Sequence, residues 1–159
     1  MTDVGRVETA LAVREADPLV SAGDAASLRQ AFLQADAIFV PDTKASTAGI
    51  HVARVLQQLG IADEVAGRLK IYPNGATAMR HMADDNAARP IGCTQATEII
   101  ATKGIKLSGA LPKGCDLATV YTAAIASKAV RAREAQVLID LLTAADHGHL
   151  RERAGFLAI

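Results

Sequence analysis

Three short polar turns hold the residues of this sequence with the most evident chemistry. Thr43, Ser46 and Thr47 precede a run in which Ile50, Ala53, Val55, Leu56 and Leu59 recur at helical spacing. Asn74, Gly75 and Thr77 open a second helical run, and Thr94, Gln95 and Thr97 precede or open a third. The first turn of a helix carries backbone N–H groups without intrahelical partners and the positive end of the helix dipole. Hydroxyls and small residues placed there can cap the helix, or they can hold an anion or a small polar solute by hydrogen bonds. Both readings stand for each turn taken alone. Three such turns on one rim of a sheet would form a cleft of N–H groups and neutral hydroxyls.

Other chemistries find less in the sequence. The histidines are His51, His81, His147 and His149, and the cysteines are Cys93 and Cys115. None of them stands at metal-ligand spacing from another, so no metal site is expected. His51 lies within the first helical run and is expected at the surface or edge. Cys93 follows Gly92 near an expected strand end, and with no paired base it reads as an inert thiol. No nucleophile elbow, phosphate-binding Walker loop or dinucleotide glycine pattern is present, so no cofactor is expected and the chain does not read as an enzyme.

The elements that must position the three turns follow from periodicity. Val4 to Val13 reads as a strand ended by the charged Arg14-Glu15-Ala16-Asp17 and Pro18. Ser21 to Ala35 reads as a helix capped at Asp24 or Ser27, with Leu28, Ala31, Phe32 and Ala35 as its stripe. Ile38 to Val40 is a strand stopped by Pro41 and Asp42, and the Thr47 helix follows and stops at Gly60. Leu69 to Tyr72, Pro90 to Cys93 and Ile105 to Leu111 read as strands, with a helix over Thr77 to Asp84 and a short one over Ala96 to Ala101. Leu117 to Ala126 reads as a long strand. Arg131 to Leu142 is a helix with Ala135, Leu138, Ile139 and Leu142 on one face, and Asp146 to Arg153 is a final helix before the apolar tail Phe156 to Ile159. This alternation of strands and helices predicts an α/β protein with a mostly parallel sheet.

Bulk properties narrow the class. The chain has 159 residues, half of them apolar and 21% charged, which suits one ordered domain. Its 17 basic and 17 acidic residues balance, so nothing in the charge points to nucleic acid as a partner. No apolar run reaches the roughly 18 residues of a membrane span. The N-terminal residues carry no basic segment followed by an apolar one, and the sequence as written reads as lacking a secretory signal.

Four segments together resemble the molybdate-type, ModA-like extracellular solute-binding proteins of ABC importers: PDTKASTAGIHVARVLQQLGI, YPNGATAMRHMA, PIGCTQATEII and GIKLSGALPKGCDLATVYTAAIASKA. The closing LIDLLTAADHGHLRERAGF also looks like that family's C-terminal helices. The resemblance runs from Gly5 to Phe156. It implies a three-layer open α/β sheet forming one lobe of a type II periplasmic binding fold, with crossing strands and C-terminal helices. It implies that a small oxyanion such as molybdate, or another small polar solute, is held by backbone amides, hydroxyls and a tyrosine. By that resemblance Thr47 and Ala48 are helix-start contacts, Gly75, Ala76 and Thr77 a second helix start, and Tyr121 the ligand-facing tyrosine. Gln95, Thr97 and Glu98 then belong to the cleft wall. Residues 14–116 correspond to a second lobe, 4–13 and 117–126 to crossing strands, and 131–159 to C-terminal helices and tail. The family is periplasmic and delivers to an ABC permease. This sequence, by contrast, begins at the crossing strand, without most of a first lobe or an export signal, so as written it reads as cytoplasmic. A homo-oligomer is the expected replacement for the absent lobe. The other reading is a cytoplasmic small-ligand sensor or accessory protein that reuses this lobe, with weakened or no oxyanion binding.

Overall fold

The computed structural model describes residues 1–159, which fall into two compact units: Glu8–Leu117, and Met1–Val7 with Ala118–Ile159. In the first unit the strands are β1 (Thr2–Arg14, which also serves the second unit), β2 (Ala37–Pro41), β3 (Leu69–Tyr72), β4 (Pro90–Gln95) and β5 (Ile105–Ala110), in the order β3-β2-β4-β1-β5. β2 pairs in parallel with β3 and β4, whereas β1 runs antiparallel to both β4 and β5. The sheet is therefore mixed, not mostly parallel. The strand-helix alternation does set one direction for β2 to β5, but β1 is inserted against them between β4 and β5.

Two-residue alternation along the strands sorts the core into layers. Ile38, Val40, Ile91, Cys93 and Leu11 join Leu28 and Phe32 of α1 (Ala25–Gln34), Val52, Val55 and Leu56 of α2 (Thr47–Gln58) and Val65 of α3 (Ala62–Val65) in one cluster. Gly92 points the other way, against Met79 of α4 (Gly75–Asp84), and Thr94 does the same toward α5 (Ala96–Ile100). Helices thus cover both faces of the sheet, the three-layer α/β arrangement. The α1 start is a capping box in which the Ser27 N–H donates to Asp24 Oδ1 at 2.7 Å and the Asp24 N–H donates to Ser27 Oγ at 3.1 Å. The buried stripe of α2 includes Val52, while Ile50 and Ala53 are only half-buried.

The second unit contains β6 (Ala118–Ala123), which pairs with β1, followed by α6 (Ala132–Thr143) and α7 (Gly148–Arg153). β6 is shorter than the expected 117–126. The apolar tail packs on its own unit: Arg6 and Leu157 exchange backbone hydrogen bonds of 3.0 and 2.7 Å, and Phe156 lies against Gly5. The face expected on α6 is not a buried one. Ile139 is 7% exposed, but Leu138 is 57% exposed and Leu142 is exposed as well. No helix of the structure is long and apolar enough to cross a membrane.

Candidate functional site

β2, β3 and β4 point the same way, so their C-terminal ends share one rim. In register, Pro41 stands beside Tyr72 and Phe39 beside Gly92; continuing that register puts Pro41 level with Thr94. β2, β3 and β4 lead from this rim into α2, α4 and α5 respectively. The residues of the three polar turns are gathered here as the strand-helix alternation requires.

The first turn sits directly on the end of β2. Asp42 Oδ1 accepts from the N–H groups of Lys44 and Ala45 at 2.8 and 3.0 Å, shaping the turn. Ser46 is the N-cap of α2: its hydroxyl accepts from the Gly49 N–H at 3.4 Å and its carbonyl from the Ile50 N–H at 2.8 Å. Thr47 and Ala48 are the first two helical residues, and no acceptor caps their N–H groups. Thr47 is exposed and Ala48 buried. Gly49 permits the close seating, because a Cβ there would collide with the carbonyl oxygens of Asp42 and Pro41.

The second turn is built the same way. Asn74 is the N-cap of α4, and its Oδ1 accepts from the Thr77 N–H at 2.8 Å. Thr77 therefore has its amide committed and its hydroxyl accepts from Arg80 at 3.0 Å, which leaves the N–H groups of Gly75 and Ala76 as the uncapped pair. Gly75 is buried against the third turn: a Cβ on it would collide with Glu98 Oε2 and Thr94 Oγ1. Thr94 Oγ1 donates to Glu98 Oε2 at 2.6 Å. Glu98 also lines a groove of about 520 Å³ between α4 and α5, with Ala76, Thr97, Arg80 and Lys103 among its walls.

Gln95 ends β4 with only 5% exposure and faces Thr9 across the β1–β4 ladder. The Thr9 hydroxyl, at 1% exposure, has no hydrogen-bond partner. Tyr121 is in the other unit, on β6, 39% exposed, with its ring edge-on to Phe156 at 5.7 Å. Around it Val4, Leu141, Leu142, Leu150 and Phe156 form a mainly apolar groove. The structure thus brings Thr47, Ala48, Gly75, Ala76, Thr77 and Gln95 to one rim of one unit. The Glu98–Thr94 contact with Gly75 and the orphaned Thr9 hydroxyl were not foreseen; glycine in the second polar turn was the one available hint of a close neighbour.

The remaining reactive side chains are occupied or shielded. His51 Nε2 bonds the Cys115 carbonyl at 2.8 Å, His147 Nδ1 the Leu141 carbonyl at 2.7 Å, and His149 Nδ1 the Asp146 carbonyl at 3.1 Å. Cys93 lies within β4 rather than at its end, because the strand continues to Gln95; burial pushes its thiol up from the ordinary 9.0 to about 12. Cys115 is also a buried free thiol, raised by desolvation and by the charge of Asp116. No group of three or more His, Cys, Asp or Glu residues is placed to hold a metal ion.

Comparison with known proteins places this architecture. The sequence profile described as "Bacterial extracellular solute-binding protein" matches residues 2–157. An aconitate isomerase from Pseudomonas sp. is 26% identical over 157 residues, covering 96% of this chain and 56% of that protein. Among solved structures, the substrate-binding domain of a candidate molybdenum ABC transporter from Clostridium difficile superposes with a TM-score of 0.71 at 14% identity, over 99% of this chain and 66% of that one. The periplasmic molybdate-binding protein of Azotobacter vinelandii does so with a TM-score of 0.65 at 16% identity, over 98% of this chain and 68% of that one. These structural likenesses establish the fold, a periplasmic binding protein lobe. The chain spans little more than half the length of the curated relative and about two-thirds of the structural ones. A profile match over nearly all its residues, on this fold, makes the chain a member of the bacterial extracellular solute-binding proteins.

Proposed function

We propose that Glu8–Leu117 acts as the second lobe of a solute-binding protein and holds a small oxyanion such as molybdate, or another small polar solute, for delivery to an ABC permease outside the cytoplasm. The observation that carries this reading is the pair of ten- and twelve-residue helices, α4 and α2, whose uncapped first N–H groups (Gly75 and Ala76, Thr47 and Ala48) stand on one rim. Two helix starts converging on one rim favour negative charge or strong acceptors there. Gln95 supplies a neutral wall. The solved molybdate-binding neighbours support the ligand class, and the family supports a binding role without turnover. For this chain by itself we propose a homo-oligomer, because α6 leaves Val137, Leu138, Leu141 and Leu142 exposed.

A second reading rests on the aconitate isomerase relative: the same rim would receive the carboxylates of an organic acid, with or without a reaction upon them. Calorimetric titration separates the two. Molybdate, tungstate and sulfate give saturable heat under the oxyanion reading. Heat from none of these, with heat from di- or tricarboxylates, moves the assignment to organic acids. Heat from neither group contradicts solute binding at the rim.

A further inference from the structure

Thr9 carries a hydroxyl that the folded chain buries and does not use. The residue is 1% exposed and its Oγ1 has no hydrogen-bond partner. Its backbone, by contrast, is engaged on both sides: the N–H donates to the Leu117 carbonyl at 2.9 Å, and the carbonyl accepts from the Leu111 N–H at 3.4 Å. Other buried or half-buried hydroxyls of the chain are donors. Thr94 donates to Glu98 Oε2 at 2.6 Å, Thr102 to the Glu98 carbonyl at 2.7 Å and Ser108 to the Val20 carbonyl at 3.0 Å. Buried polar side chains are ordinarily hydrogen-bonded, and an orphan among them calls for a functional explanation.

The ladder shows which way this hydroxyl faces. Thr9 pairs with Gln95 and Leu11 with Cys93, and side chains two apart on a strand share a face. Leu11 and Cys93 belong to the core cluster that α2 covers with Val52, Val55 and Leu56. Thr9 and Gln95 are therefore on the α2 face, one row nearer the rim, and on the opposite face from Thr94, Glu98 and α4. The start of α2 reaches the same row. Gly49 is seated on the carbonyl oxygens of Pro41 and Asp42, and the parallel register carried on from Phe39 and Gly92 sets Asp42 level with Gln95. One segment ties the helix to Thr9: His51 of α2 bonds the Cys115 carbonyl at 2.8 Å, and Leu111 and Leu117 bond the Thr9 backbone. The carboxylate at the end of the row, Asp42, is turned into its own loop, where Oδ1 accepts from the N–H groups of Lys44 and Ala45.

We infer that Thr9 is a solute-contacting residue, whose hydroxyl donates to an oxygen of the anion held on the N–H groups of Thr47 and Ala48. The inference deepens the solute-binding reading and rests on it. The two amides and a hydroxyl with no acceptor in the protein form a set of donors, and a fully ionised oxyanion offers acceptors only. The hydroxyl is reached by rotation of the Gln95 side chain, which ends β4 beside it with 5% exposure. Side-chain rotations of this kind are common on binding. Thr9 and Gln95 are both neutral, so the charge of the anion is met by the α2 dipole.

Calorimetric titration of molybdate into the wild-type chain, Thr9→Val and Thr9→Ser tests it. Valine keeps the shape of threonine and removes only a hydroxyl that the protein leaves unpaired, so Thr9→Val should unfold at a temperature no lower than the wild type. The expected result is binding about tenfold weaker or more in Thr9→Val, as for a lost hydrogen bond to a charged group, and within about threefold of wild type in Thr9→Ser. Unchanged molybdate affinity in Thr9→Val, or equal losses in Thr9→Val and Thr9→Ser, overturns the role of Thr9 while leaving solute binding in place. A clearly lower unfolding temperature for Thr9→Val means that the protein itself uses the hydroxyl, and overturns that role as well. No molybdate heat from the wild-type chain overturns the oxyanion reading and this inference with it.

Discussion

At the scale of single residues, Gly75 and Cys93 show how packing decides what chemistry remains. Gly75 has no side chain because Thr94 Oγ1 and Glu98 Oε2 occupy its Cβ position. Gly75→Ala forces those side chains apart and is expected to cost roughly 1–3 kcal/mol of stability in denaturant unfolding, as overpacking does. Cys93 is fully buried, with its thiol raised to about 12. An acid whose pKa is raised on folding stabilises the fold below its unfolded value, and that contribution is lost as the pH climbs toward the folded value. Iodoacetamide at pH 8 should therefore leave Cys93 unmodified in the folded chain and modify it once urea unfolds the protein, as intact mass measures. Rapid labelling of the native chain would contradict its placement. The polar turns were readable in the sequence, since Ser46 and Asn74 cap as their types suggest. The Thr94–Glu98 pair was not readable as a pair, because it forms only when β4 and α5 fold onto the start of α4.

At the scale of elements, periodicity located nearly every strand and helix, and the errors have physical causes. β1 satisfies the same apolar pattern whether it runs with or against its neighbours, so its antiparallel insertion between β4 and β5 could not be read from composition. Helix α6 has a helical apolar pattern, yet Ile139 is its one buried residue. Periodicity records a face suited to burial and does not say what covers it. Two substitutions separate covered from uncovered positions on this helix. Ile139→Ala should cost about 2 kcal/mol or more by leaving a cavity, whereas Leu138→Ala should change stability by no more than about 0.5 kcal/mol in the dilute chain. Equal losses at both positions would mean that Leu138 is buried in solution.

At the scale of the whole molecule, the 17 basic and 17 acidic residues balance. The family was legible from ordered motifs spread along the chain, and the profile match over residues 2–157 agrees with that. Which solute is bound was not legible, because backbone N–H groups carry the seat and they leave almost no mark on residue type. The exposed leucines of α6 predict self-association. Light scattering during size-exclusion chromatography should report a dimer or larger at tens of micromolar, as order of magnitude for a modest apolar interface, and Leu138→Glu should shift it to monomer. A monomer at every concentration would contradict the oligomer.

The central claim is that the rim where β2, β3 and β4 end is a solute seat built from two helix starts. Nitrogen–proton correlation NMR reads those amides one by one. On titration with molybdate, the amide signals of Thr47, Ala48, Gly75 and Ala76 should move together and saturate at one common concentration, while the capped amide of Thr77 moves less. Shifts that never saturate, or that fall on the α6 and α7 amides while these four stay still, would contradict the account.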